Sequence, residues 1–314
     1  MTDRQGRFAA VETVREGFRR AGYICSTEIA TTVYLAFHLE KPVLVEGPAG
    51  VGKTELAKKA AAFMGLPLIR LQCYEGLDES KALYEWKYGK QLLYTQLLRD
   101  KLDQIVRKES DLGESIRTLH RYEDIFFSPQ FLEPRPLLKA LQEEQGAVLL
   151  IDEVDKADEE FEAFLLEILS DFQVSIPEIG TVRSNTRPFV FLTSNSTREL
   201  SEALKRRCLH LFIPFPEPDL EREIVRYHVP GIPERLERQL VAFIHEVRTL
   251  ELKKVPSISE TIDWARALLL LHSEGLDRDL TRKTLNTFLK FEEDIRTVDE
   301  KLFLLVDRAV KEGS

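Results

Sequence analysis

The stretch Gly47-Pro-Ala-Gly-Val-Gly-Lys-Thr54 satisfies the pattern G-x-x-x-x-G-K-[ST] and constrains the fold more than any other feature of the chain. It needs a strand before it and a helix after it. Both are legible: Pro42-Val-Leu-Val-Glu46 is a short apolar run, and Glu55–Met64 has helical periodicity. Glycines at 47, 50 and 52 let the backbone curl until its N–H groups converge on a polyphosphate. The helix N-terminus adds partial positive charge. All eight residues, Gly47, Pro48, Ala49, Gly50, Val51, Gly52, Lys53 and Thr54, are candidate ATP contacts. Lys53 would reach the terminal phosphates, and the Thr54 hydroxyl would hold Mg²⁺.

Further short runs rich in Val, Ile, Leu and Phe are expected to be buried strands: 67–71, 147–151, 188–193 and 209–213. With helical stretches such as Asp158–Leu169 between them, they predict an α/β fold with a parallel sheet. Two segments interrupt the alternation and are expected to be β-hairpins, near 84–94 and 172–183. Aromatics Tyr84, Trp86, Tyr88 and Tyr94 in the first would either grip a partner or pack across the hairpin. Residues 97–123 are charged and helix-compatible, an expected excursion from the sheet. After Pro214-Phe-Pro-Glu-Pro218 only helical patterns follow: 219–228, 233–249, 259–273 and 280–290. The expectation is an α/β nucleotide-binding domain over 1–216 and an all-helical domain over 217–314.

The run Val148-Leu-Leu-Ile-Asp-Glu153 delivers two carboxylates to the edge of the sheet where open α/β folds bind ligands. Asp152 would join Thr54 in holding Mg²⁺, and Glu153 would polarise an attacking water. Phe191-Leu-Thr-Ser-Asn195 ends a second strand in a polar tip. Asn195 would bond the attacking water or the γ-phosphate; the alternative is that Ser194-Asn195 caps a turn.

These residues resemble the AAA+ ATPases: Walker A at 47–54, Walker B at 148–153, sensor 1 at Asn195, and Ser201-Glu-Ala-Leu-Lys-Arg-Arg-Cys208 like the arginine-finger box. Two inserts, before Walker B and before sensor 1, make the chain similar to the MoxR type. Leu71–Trp86 resembles the CoxD-like branch, which is linked to maturation of carbon monoxide dehydrogenase. The resemblance implies an αβα sandwich on a five-stranded parallel sheet with a helical lid. It also implies a homo-oligomeric ring, usually a hexamer, with ATP between subunits. Arg207 would be the finger, with Arg206 the competing candidate; otherwise both are surface arginines at a helix C-terminus. Arg266 matches the lid arginine called sensor 2; otherwise it pairs with Asp263 at i−3. The implied work is chaperone-like remodelling of a client, a metalloenzyme under assembly, with a von Willebrand A domain partner.

Other classes are disfavoured by composition. A formal charge of −9 counts against a nucleic-acid motor or loader, which shares the loop but needs a basic surface. Cys25, Cys73 and Cys208 lack metal-site or disulfide spacing, and six scattered histidines pair at no ligand spacing. The N-terminus lacks the apolar core of a signal peptide, and no apolar run is long enough to span a bilayer, so a cytoplasmic protein is expected.

Overall fold

The computed structural model describes residues 6–96, 128–177 and 179–312. Its helices are α1 (Val11–Arg20), α2 (Thr27–Leu39), α3 (Lys53–Met64), α4 (Pro136–Gln142), α5 (Glu159–Asp171) and α6 (Glu202–Arg207). Then come α7 (Pro218–His228), α8 (Glu234–Arg248), α9 (Ile258–Leu270), α10 (Arg278–Phe288) and α11 (Glu292–Glu312). Strands β1 (Val43–Glu46), β2 (Leu68–Gln72), β5 (Val148–Asp152), β8 (Phe189–Ser194) and β9 (Leu209–Phe212) form one sheet in the order β2-β5-β8-β1-β9. Every pairing in it is parallel.

Successive side chains of a strand point to opposite faces, and this sheet buries both. Along β5, Leu149 and Ile151 pack with Leu137, Leu165 and Leu204 from α4, α5 and α6. Val148 and Leu150 pack with Phe18, Val33 and Leu56 from α1, α2 and α3. The result is the expected αβα sandwich on five parallel strands, and the five apolar runs are its strands to within a residue at either end. Register then aligns the polar strand ends. Gln72 lies opposite Asp152, Ile151 opposite Leu192, and Glu46 opposite Ser194.

The segment 172–183 is the expected hairpin: β6 (Gln173–Ile176) pairs antiparallel with β7 (Gly180–Arg183). The segment 84–94 is not. Tyr84–Trp86 forms strand β3, but its partner is β4 (Leu132–Pro134), with Trp86 opposite Leu132. Residues 88–96 are helical instead. Burial accompanies the choice: Trp86 and Leu132 both enter the main core. The aromatics divide accordingly. Tyr84 and Trp86 pack edge to face at 5.9 Å and Tyr94 meets Phe131 at 5.3 Å, whereas Tyr88 is exposed. The expected excursion over 97–123 lies outside the described residues.

The C-terminal helices have a core of their own, built around Trp264, Phe243 and Phe288. Trp264 is fully buried and donates its indole N–H to Thr284 Oγ1 at 2.9 Å. Helix α11 has no counterpart among the four expected there, yet its Val298, Leu302, Leu305 and Ala309 complete this core. The proline-rich linker is pinned to it. Arg248 stacks over Phe215 at 4.6 Å and donates to the buried Glu221 carboxylate at 2.8 Å. Cys25, Cys73 and Cys208 are free and buried, and burial pushes each thiol pKa up to about 12, which suits inert structural thiols. Among the described residues no helix is long and apolar enough to cross a membrane.

Candidate nucleotide site

The loop after β1 is built for close approach. A Cβ on Gly47 would lie 2.1 Å from Ile213 O, so no side chain fits there. Gly50 has φ +78, and its Cβ would lie 2.3 Å from Ser257 Cβ. Gly52 has φ +96 and begins α3 without a capping side chain, which leaves the helix N–H groups for another acceptor. This cradle of bare backbone fits a polyphosphate. Lys53, only 7% exposed, donates to Gly47 O at 2.6 Å, Pro48 O at 2.7 Å and Asn195 Oδ1 at 2.8 Å. Burial lowers the pKa of its ammonium, and the charges of Asp155, Asp152 and Glu153 oppose that shift.

Beside it, β5 delivers Asp152 into a crowded polar knot. Its Oδ1 accepts from Thr54 Oγ1 at 3.0 Å and from Thr193 Oγ1. Its Oδ2 accepts from Arg70 Nε at 2.9 Å. A hydroxyl and a carboxylate side by side are the hard oxygen donors that suit Mg²⁺. Glu153 has the left-handed φ of 58, rare for a side-chain-bearing residue. That turn holds its carboxylate over the sheet edge. There Oε2 accepts from Gln72 Nε2 at 2.8 Å and Lys156 Nζ at 2.6 Å, and Oε1 from Asn195 Nδ2 at 3.3 Å. Asn195 therefore bridges Lys53 and Glu153 with its two amide atoms.

Several members of this cluster were not candidates from sequence, among them Arg70, Gln72 and Asp155. Arg70 and Gln72 sit on β2 and reach the two carboxylates only because β2 pairs with β5. Their signal was an i, i+2 polar pair at the end of an otherwise apolar strand. Asp155 is 4% exposed, and its Oδ2 accepts from Asn195 N at 3.2 Å, Thr197 N at 3.0 Å and Thr197 Oγ1 at 2.6 Å. Burial opposes its ionisation, but these hydrogen bonds prevail and lower its pKa.

Two sets of expected residues stand apart from the knot. Arg266 pairs with Asp263 at 3.4 Å, the i−3 alternative, and is half exposed. The lid meets the loop through Ser257 instead, the N-cap of α9, in a capping box with Glu260. Arg206 pairs with Glu202 at 2.8 Å, and Arg207 donates to Leu166 O at 2.8 Å. They end α6 just before β9, whose first residue Leu209 lies opposite Val43 at the start of β1. At about 3.3 Å per residue, this is about 13 Å along the strands from the loop that follows Glu46.

A Gly50→Ala substitution tests the lid contact. The new methyl group collides with Ser257 at a backbone angle that already disfavours side chains. A cost of ~1–3 kcal/mol is expected, weakening nucleotide binding by about 5- to 150-fold. Titration with a fluorescent nucleotide reads it, and unchanged affinity would count against the contact.

Residues 42–208, just over half of the chain, match the AAA domain (dynein-related subfamily). The chain belongs to that family. This AAA chain is also similar to an uncharacterized protein of Staphylococcus epidermidis, 27% identical over 267 residues, covering 83% of this chain and 88% of the relative. An uncharacterized protein of Staphylococcus haemolyticus is 25% identical over 240 residues, covering 74% and 77%. Among solved structures, it matches the Thermotoga maritima RuvB Holliday junction branch migration motor at TM-score 0.46 and 17% identity, over 92% of this chain and 77% of that one. A mutant of the same protein gives TM-score 0.48 over 94% and 77%.

Proposed function

We propose that this AAA chain hydrolyses ATP at sites shared between neighbouring copies in a homo-oligomeric ring, and that it remodels a client protein in the manner of the MoxR type. The observation that carries the reading is the Asn195 bridge, 2.8 Å from Lys53 and 3.3 Å from Glu153, beside Thr54 and Asp152. Phosphate binding, metal holding and water activation need these side chains within reach of one another. In this reading Gly47–Thr54 cradle the phosphates and Thr54 with Asp152 holds the metal. Magnesium supplies charge neutralisation on the phosphates when bound. Glu153 polarises the attacking water, and Asn195 orients it.

The arginines support the ring. Arg206 and Arg207 end a helix just before Leu209, which lies opposite the start of β1, whereas the loop follows the end of β1. A neighbour's site is the natural target for such exposed arginines. Residues 1–216 act as the nucleotide-binding domain and 217–314 as the lid, with Arg266 approaching the nucleotide as the lid closes. The hairpin at 172–183 and the exposed helical stretch at 88–96 offer surfaces to the client. The resemblance of Leu71–Trp86 to the CoxD-like branch points to a metalloenzyme under assembly, such as a carbon monoxide dehydrogenase, with a von Willebrand A domain partner.

Dilution tests the shared site. Activity per chain should rise with protein concentration as copies associate, and MgATP should shift sedimentation toward a larger species. A monomer with full activity at every dilution would overturn the reading.

A further inference from the structure

Glu162 lies outside the knot around Lys53, yet its side chain is 1% exposed. A carboxylate persists in such a place only with partners. Arg198 forms an ion pair with it. Its Oε2 also accepts from the backbone N–H of Ser201 at 2.9 Å. Ser201 is the N-cap of α6, where its hydroxyl accepts from Leu204 N at 3.4 Å. At the other end of α6, Arg207 donates to Leu166 O. Glu162 and Leu166 are i and i+4 on α5, one turn apart. Helix α5 thus grips α6 at both ends, with Leu204 packed in the shared core between them.

The same ion pair adjoins the loop that carries Asn195. Arg198 donates to Ala157 O at 2.6 Å and directly follows Thr197, which is held by Asp155. Asp155 also holds the backbone of Asn195, whose side chain touches Lys53 and Glu153. Polar contacts, joined by one step along the chain from Thr197 to Arg198, therefore run from the phosphate loop to the helix that bears the two arginines.

We propose that Glu162 and Arg198 are positioning residues that couple the Asn195 loop to helix α6, and so set the arginines one copy offers to its neighbour's site. This rests on the shared-site reading above. Its prediction is a defect exerted in trans. Misplacing a catalytic group by ~1 Å can cost about 10²-fold in rate. In Glu162→Gln protein, kcat should fall by up to that factor with KM for ATP unchanged, because Lys53 and Thr54 are untouched.

The test mixes subunits of the full chain. Lys53→Ala copies lose their own nucleotide site but keep α6. Mixed with Glu162→Gln copies, they should restore turnover well above the sum of the two proteins alone. The control is the same mixture made with Arg206→Ala/Arg207→Ala. Rescue in both supports the proposal. Rescue in the control alone, or undiminished activity of Glu162→Gln, overturns it and leaves the shared site standing. Absence of rescue in the control overturns the shared site and this proposal with it. Arg198→Met, on the more exposed partner, goes through the same steps should Glu162→Gln not fold. Arg198→Lys keeps the charge and should recover activity; equal loss in the Lys and Met proteins overturns the coupling.

Discussion

A Glu153→Gln protein is expected to bind ATP normally and turn it over about 10²–10⁴-fold more slowly. The substitution keeps the shape of the side chain and removes the charge that would accept or polarise a water proton. Binding should survive because it resides elsewhere, in the loop, in Lys53 and in Thr54. The contacts of Glu153 come from Gln72, Lys156 and Asn195, all donors, so a Gln amide can keep one oxygen in place while its NH₂ group faces a donor. Some local rearrangement will follow, small beside the loss of the charge. Single-turnover quench measurements give the rate, and nucleotide titration gives the affinity. A turnover close to that of the unaltered protein would remove Glu153 from the mechanism. A matching loss of affinity would make it a structural residue.

The second large effect belongs to the arginines. Arg206→Ala/Arg207→Ala should cost about 10³–10⁵ in kcat, the range for a trans-acting arginine. Stability should fall only modestly, by about 0.5–1.5 kcal/mol for the lost Arg207–Leu166 O hydrogen bond. The Arg206–Glu202 pair is 81% and 82% exposed, and exposed i, i+4 pairs are worth about 0.3–0.5 kcal/mol. A severe loss of rate with only that modest loss of stability separates a finger from a capping arginine. The single variants then assign the role to one of the two. Normal hydrolysis by the double variant would end the shared-site model.

The loop, the strands and the two carboxylates were legible because each is local. A buried parallel strand must be apolar throughout, and the loop motif is contiguous. What escaped was created by pairing between distant segments. Trp86 finds its strand partner at Leu132, across the whole insert, so aromatic alternation around Gly89-Lys90 gave a hairpin that the chain does not make. Arg70 and Gln72 became neighbours of Asp152 and Glu153 through the β2–β5 register. Helix α11 escaped for a different reason: its charges are dense, and its apolar positions, Val298, Leu302, Leu305 and Ala309, form only a narrow stripe. Asn195 was read as a contact to nucleotide or as a cap, and neither reading anticipated its bridge between Lys53 and Glu153.

The left-handed backbone at Glu153 has an evolutionary consequence. A side chain in that conformation costs roughly 1–2 kcal/mol that glycine would not incur. On the proposed function, its part in hydrolysis is what offsets that cost. In a duplicated gene freed from that requirement, glycine at 153 would relieve the backbone cost while giving up the contacts to Gln72, Lys156 and Asn195. Its product would still grasp ATP and still offer arginines to its neighbours. On that reading, loss of this one side chain is a short route from an active ATPase subunit to a silent scaffold.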